Sequence, residues 1–259
     1  ILAARRGVTL HSLIAKDMKS IPVDMDQEDV AFLFRQRDLI SAPVVDNDGR
    51  LVGAITIDDI VDVIDEEHEE DIMRLAGVGE GDNLFTAVMG TIRLRFFWLL
   101  TYVVCAFAAA TVIRLFQGSI SEMVALAILM PIVAAMGGTA SVQTLTVAVR
   151  AIAMKELTLA NAFRNIGKEL GVAFLNGLVF AALVGTVVAI WFGSPALGGV
   201  IGLAIILNLV VAGLYGSTMP ILLLKLGVDP AIASSAFATA ITDIFGFFVF
   251  LGLATLLLL

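Results

Sequence analysis

Hydrophobic and polar positions divide this chain into two regimes. Five apolar runs, 96–116, 123–149, 170–192, 197–224 and 231–258, approach or exceed the roughly 20 residues that a bilayer-spanning helix requires. Before them the pattern is shorter in period. It predicts a helical patch at 13–18, a short strand at 21–23 and an amphipathic helix over Gln27–Arg37. A strand at 42–46, a turn at Asp48-Gly49, a return strand over Leu51–Thr56 and a helix opening at Ile57 complete it. The fold class expected is an α-helical membrane protein of five transmembrane helices, preceded by a small α/β module and a connecting helix.

Composition sharpens the split. The 259 residues are 59% hydrophobic and 15% charged, against about 25% charged in ordinary soluble domains. Residues 1–91 hold 8 Lys and Arg against 19 Asp and Glu, a net of −11; residues 92–259 hold 8 against 5, a net of +3, together the −8 of the whole. An acidic module facing water, joined to a membrane module, is the expected organisation. Neither half has a basic surface for phosphates, which excludes a nucleic-acid partner held by charge. Cys105, the one cysteine, lies in an apolar run, so no intrachain disulfide forms. The chain begins at Ile1 without a signal-peptide pattern and is expected to be part of a longer protein.

Charge also orients the spans. Arg93 and Arg95 precede the first, Arg150, Lys155, Arg164 and Lys168 separate the second from the third, and Lys225 separates the fourth from the fifth. The alternate connections carry Arg114 and Glu122, or no charge at all. The positive-inside rule places the N-terminal module in the cytoplasm and, with five spans, the C-terminus outside.

Polar groups inside the spans are the functional candidates, because lipid offers them no partner. Asp243 stands near the middle of the last span, where a charged side chain costs about 2.5–3.5 kcal/mol on insertion scales. It should face water, a cation or a buried donor. A hydrogen-bonded structural Asp is the plainer alternative. Ser235, Thr239 and Thr242 lie near one helical turn from it or from each other, either as an oxygen-lined stripe or bonded back to their own helix. In the second span, Pro131 and the run Gly137-Gly138-Thr139-Ala140-Ser141-Val142-Gln143 suggest a broken helix lining a cavity or, equally, a glycine-mediated helix contact.

In the N-terminal region, the run 42–53 (APVVDNDGRLVG) followed by Thr56-Ile57-Asp58-Asp59 resembles a CBS motif. That resemblance implies a regulatory module, one of a pair whose mate precedes it, often for adenosyl nucleotides such as ATP, with Thr56 and Asp59 in the ribose-side positions. The following run from Asp58 to Asp71 is an acidic helix with carboxylates at i,i+4 spacing, each like-charge pair costing about 0.2–0.5 kcal/mol. A solvated charge face is the ordinary explanation. Hard divalent cations, which take oxygen ligands, would relieve the repulsion, and the cluster 24–29 offers further carboxylates. His68 stands alone and reads as a surface residue.

A CBS motif, an acidic connecting helix and five spans in this order resemble the MgtE family of magnesium channels, as do Leu226-Gly227-Val228-Asp229-Pro230-Ala231, Thr242-Asp243 and Gly246 near the end. The resemblance divides the chain into a second CBS motif (1–65), an acidic connecting or plug helix (66–92) and a five-helix pore domain (93–259). It implies a homodimer in the bacterial inner membrane, surrounded by lipid, which moves Mg2+ into the cytoplasm and is gated by cytoplasmic Mg2+. Asp243 matches the carboxylate that holds Mg2+ at the dimer axis. Gly137, Gly138, Thr139, Gln143, Ser235, Thr239 and Gly246 would line the pore. Asp26, Glu28, Asp38, Asp59, Asp62, Glu67, Glu70 and Asp71 match the sensing carboxylates. The sequence departs from the family at Thr139 and Ser235, where Asn is common, and at Ser141 and Val142.

Three rival functions differ in chemistry. A CBS-regulated carrier of manganese, cobalt or zinc would favour His or Cys ligands, and spans two to five contain neither. An intramembrane aspartyl protease needs two carboxylates sharing a proton, whereas each chain offers one at mid-membrane. A membrane-tethered sensor would leave the central carboxylate without work. Transport, rather than an enzymatic activity, is the expectation.

Overall fold

The computed structural model describes residues 20–78, 81–82, 84–233 and 235–259, and the chain parts between Glu70 and Asp71 into two compact units. The helix expected at 13–18 lies outside the described residues.

In the first unit, polar side chains fix where the elements begin and end. Asp26 opens α1 (Gln27–Arg37) by accepting a hydrogen bond from the Glu28 amide at 2.9 Å. Glu28 and Asp29 in the first turn, and Arg35 and Arg37 in the last, complement the helix dipole. Asp38 ends the helix in a left-handed conformation, φ 51°, which Asp tolerates better than most residues. The sheet runs β1 (Ile21–Pro22), β2 (Ser41–Val45), β3 (Leu51–Thr56), with β1 parallel and β3 antiparallel to β2. Asp46 braces the hairpin turn by accepting from the Asp48 and Arg50 amides at 3.0 and 2.8 Å, and Gly49 supplies the positive φ. Ile21, Val30, Ala31, Phe34, Ala42 and Ile60 form the core. Then α2 (Ile57–Leu75) continues as one helix through the acidic run.

The second unit contains α3 (Val88–Leu115), the short α4 (Gln117–Glu122), α5 (Ala125–Ala153), α6 (Ala162–Phe192), α7 (Pro195–Lys225) and α8 (Ser235–Leu257). All but α4 are long and apolar enough to cross a membrane. Three boundaries differ from the apolar runs. Helices α3 and α6 begin earlier than expected, and Arg164 and Lys168 belong to the first turns of α6 rather than to a loop. An apolar run marks what lipid covers, while a helix continues into water wherever its residues permit. The last run is interrupted: Asp229 accepts from the Ala231 amide at 2.8 Å and caps a 3-10 turn over Pro230–Ile232, so that α8 starts only at Ser235.

Helix α7 is the centre of this unit and packs against α5, α6 and α8. Lipid tails are as apolar as leucine, so helices here associate through close packing rather than through a hydrophobic drive. Small residues permit the approach. A Cβ on Gly185 would lie 2.7 Å from the Gly198 carbonyl oxygen, and one on Gly198 would lie 2.4 Å from that of Gly185. Around these contacts Leu126, Leu129, Val133, Ile201, Ile205, Phe250 and Leu251 are fully buried.

Helix α5 runs unbroken through both Pro131 and the Gly137-Gly138 pair. Of the two readings the sequence left open, the glycine-mediated contact is the one seen. Proline removes one ladder bond near the start of the helix, which neighbouring helices tolerate, and both glycines are buried. At the other edge of the unit, the last turn of α2 meets the connection between α7 and α8. Arg74 forms an ion pair with Asp229, and Leu75 packs against the buried cluster of Leu145, Val149, Ala231, Ala233 and Ala238.

Candidate functional site

A groove of about 490 Å³ lies between α5 and α8, lined by Ala134, Ala135, Gly138, Thr139, Val142 and Gln143 from one helix and by Thr239 and Asp243 from the other. The four-residue spacing of Ala135, Thr139 and Gln143 puts them on one exposed stripe of α5. Thr239 stands one turn before Asp243 on α8, and its methyl would meet a Cβ on Gly138 at 3.2 Å. The absence of that Cβ is what lets the two helices close at the floor of the groove.

Asp243 is half-buried, and its Oδ1 is buried with no hydrogen-bond partner among the described residues. The structural alternative, a carboxylate satisfied by its own protein, is therefore unmet at this oxygen. Leaving a buried charged acceptor unsatisfied costs more than the roughly 1–3 kcal/mol of a neutral group. A cation, or water carried by one, is the natural complement. Six waters occupy about 180 Å³ of liquid volume, so the groove has room for an octahedral hydrated ion.

The remaining residues expected along the pore divide. Thr242 is fully buried and donates back to the carbonyls of Ala238 and Thr239 at 3.1 and 2.9 Å, so it adds no oxygen to the groove. Ser235, in the first turn of α8, is not among the groove residues. Gly137 and Gly246 are buried against Asn208: a Cβ on either would come within 2.2 and 2.7 Å of its Nδ2. Asn208 thus sits between those two glycines, a placement that no local sequence signal announces. The Asp229–Arg74 pair was also not anticipated, although Asp before Pro is a signature of a capped turn.

The carboxylates of the N-terminal module and the acidic helix are dispersed. Asp26 caps α1, Asp38 closes it, and Asp26, Glu28, Asp38, Asp59 and Asp62 are exposed. Glu67, Glu70 and Asp71 are half-buried, and Glu67 accepts from Gln27 Nε2 at 2.5 Å. That bond joins the acidic cluster at 24–29 to the acidic helix. Asp59 accepts from both the amide and the hydroxyl of Thr56, at 3.0 and 2.8 Å, so the two expected nucleotide-side residues are bonded to each other at the start of α2. Those bonds, the amide's foremost, hold the Asp59 carboxyl below its ordinary value. Among the described residues, no three His, Cys, Asp or Glu side chains gather into a group able to hold a metal ion. His68 is exposed.

Residues 130–253 match the family model MgtE, described as a divalent cation transporter, and residues 10–66 match that of the CBS domain. The chain is 36% identical over 242 residues to the magnesium transporter MgtE of Thermus thermophilus, covering 92% of this chain and 53% of that protein. It is 36% identical over 237 residues to that of Enterococcus faecalis, covering 92% and 52%, and 34% over 230 residues to that of Bacillus subtilis, covering 89% and 51%. The chain thus spans about half the length of these curated relatives.

Proposed function

Because this chain belongs to the MgtE family of divalent cation transporters, which are not enzymes, we propose that it conducts Mg2+ into the cytoplasm past Asp243. The observation that carries this reading is the buried Asp243 Oδ1, without a hydrogen-bond partner among the described residues, opposite the exposed Thr139 and Gln143. Mg2+ gives up its waters reluctantly and is usually held by one or two carboxylates with several waters retained. One Asp neutralises half of a dication. A two-fold homodimer in the membrane, pairing two such grooves across its axis, would supply the second carboxylate, with Thr139, Gln143 and Thr239 accepting from or donating to the ion's waters.

The same reading orients the chain with its N-terminal module in the cytoplasm of a bacterial inner membrane and its C-terminus outside. Gating follows from the acidic helix. Among the described residues its carboxylates gather into no group able to hold a cation, so Mg2+ would bind them only where a second surface, from the partner or from another part of the full-length protein, completes the ligand set. Binding of that kind favours the arrangement in which the surfaces meet. The ion pair of Arg74 with Asp229 ties the end of α2 to the connection that precedes the helix carrying Asp243, and gives such a rearrangement a route to the pore.

A carrier of softer cations is the competing reading, and among the described residues no His or Cys lines the groove. Flux through the full-length protein in liposomes, measured for Mg2+, Mn2+, Co2+ and Zn2+, separates the two. Mg2+ is expected to be carried at the highest rate at equal concentration. Preference for Zn2+ or Co2+ would sink the assignment.

A further inference from the structure

Asn208 is fully buried in α7, away from the groove, yet its side chain meets both helices that form it. Its Nδ2 donates to the Val133 carbonyl on α5 at 3.0 Å. Gly137 on α5 and Gly246 on α8 both lack the side chain that would collide with this amide. Its Oδ1 is buried with no donor among the described residues. The slot is thus shaped around a polar group that it only half satisfies. A leucine has the same branched skeleton of four side-chain heavy atoms and would leave no acceptor bare. What the amide adds is one directional bond to the backbone of α5, close beside the site. Gly137 adjoins Gly138 on the groove floor, and Gly246 follows Asp243 by three residues, about one turn.

We propose that Asn208 is a positioning residue for the cation: its bond to Val133, in the slot between Gly137 and Gly246, sets the separation of α5 and α8 and so the place of the Asp243 carboxylate. This rests on the groove being the ion path. Mg2+ demands near-ideal octahedral geometry at short distances, whereas Ca2+ accepts flexible coordination. Loosening the α5–α8 seam therefore penalises Mg2+ first, through a residue no ion touches.

The test is liposome flux of Mg2+ and Ca2+ against concentration, normalised to assembled protein, for Asn208→Leu and for Gly246→Ala with and without Asn208→Ala. For Asn208→Leu, half-saturation by Mg2+ should move up about tenfold or more, with reduced preference over Ca2+. Gly246→Ala alone drives its methyl into the amide and should assemble poorly. Adding Asn208→Ala makes room, and should restore assembly while leaving the weak Mg2+ affinity. A purely packing role changes the amount of assembled protein only. Wild-type half-saturation and ion preference in Asn208→Leu, or in the double variant if the single one does not assemble, would overturn the proposal. Asp243→Asn is the reference: wild-type flux in that variant overturns the groove itself, a result distinct from failure at Asn208.

Discussion

Asp243 and Asp59 are both helical carboxylates, and their surroundings give them different work. Asp59 receives two bonds from Thr56 at the start of α2, which favour its charged form. Its carboxyl in the folded chain titrates below the ordinary 3.8, so its contribution to stability is complete above that value and disappears as pH falls through the lowered one. Asp59→Asn should therefore lose less stability than the wild type on acidification below about pH 4, followed by chemical denaturation of the full chain in detergent at several pH values. Parallel losses in the two proteins would remove Asp59 from the account. Asp243 was legible in the sequence because a carboxylate within an apolar run is conspicuous in one dimension. The slot around Asn208 was not, because residues 137, 208 and 246 come together only in the packed helices. For the same reason Gly137 and Gly246 could be named as important but not placed: proximity in sequence to Gly138 and Asp243 does not say which face of a helix a glycine occupies.

Among the elements, those set by local chemistry were read most accurately. Gln27–Arg37 and Leu51–Thr56 have the bounds expected of them, since a capping Asp and an Asp-Gly turn are short-range signals. Helix ends in the membrane unit were read less well, because hydropathy reports lipid contact and α6 continues past it. Whether α5 breaks at Pro131 depended on neighbours the sequence does not show. The packing of α6 on α7 gives a test at this scale. Gly198 and Gly199 are adjacent, but a Cβ on the first would strike the Gly185 carbonyl whereas one on the second meets nothing within 4 Å. Gly198→Ala should lower stability by about 1–3 kcal/mol through overpacking, and Gly199→Ala should leave it unchanged or slightly improved. Thermal unfolding in one detergent compares them. Equal effects would mean that the close α6–α7 approach is not what holds these helices.

At the scale of the whole molecule, the proposal joins a regulatory module to a pore through one continuous helix, α2, whose last turn is fixed near α8. Inhibition by cytoplasmic Mg2+ requires the ion to prefer the closed arrangement, since equal affinity for both states shifts nothing. Neutralising Asp59, Asp62, Glu67, Glu70 and Asp71 together in the full-length protein should abolish that inhibition, read as the Mg2+ dependence of open probability in excised patches. Unchanged inhibition would return the acidic helix to a solvated charge face. The resemblance made this organisation readable from order alone: a CBS motif, an acidic helix, five spans. The ligand set of the proposed sensor was not readable, because among the described residues its carboxylates do not gather into one group.

The central claim is that a hydrated dication is held by the charge of Asp243. Mg2+ flux into liposomes through Asp243→Asn, with dimer assembly checked by size-exclusion chromatography, tests it most directly, since the substitution keeps the side chain's shape and removes its charge. The account predicts an assembled protein whose flux falls to the level of empty liposomes. Wild-type flux through Asp243→Asn would contradict it.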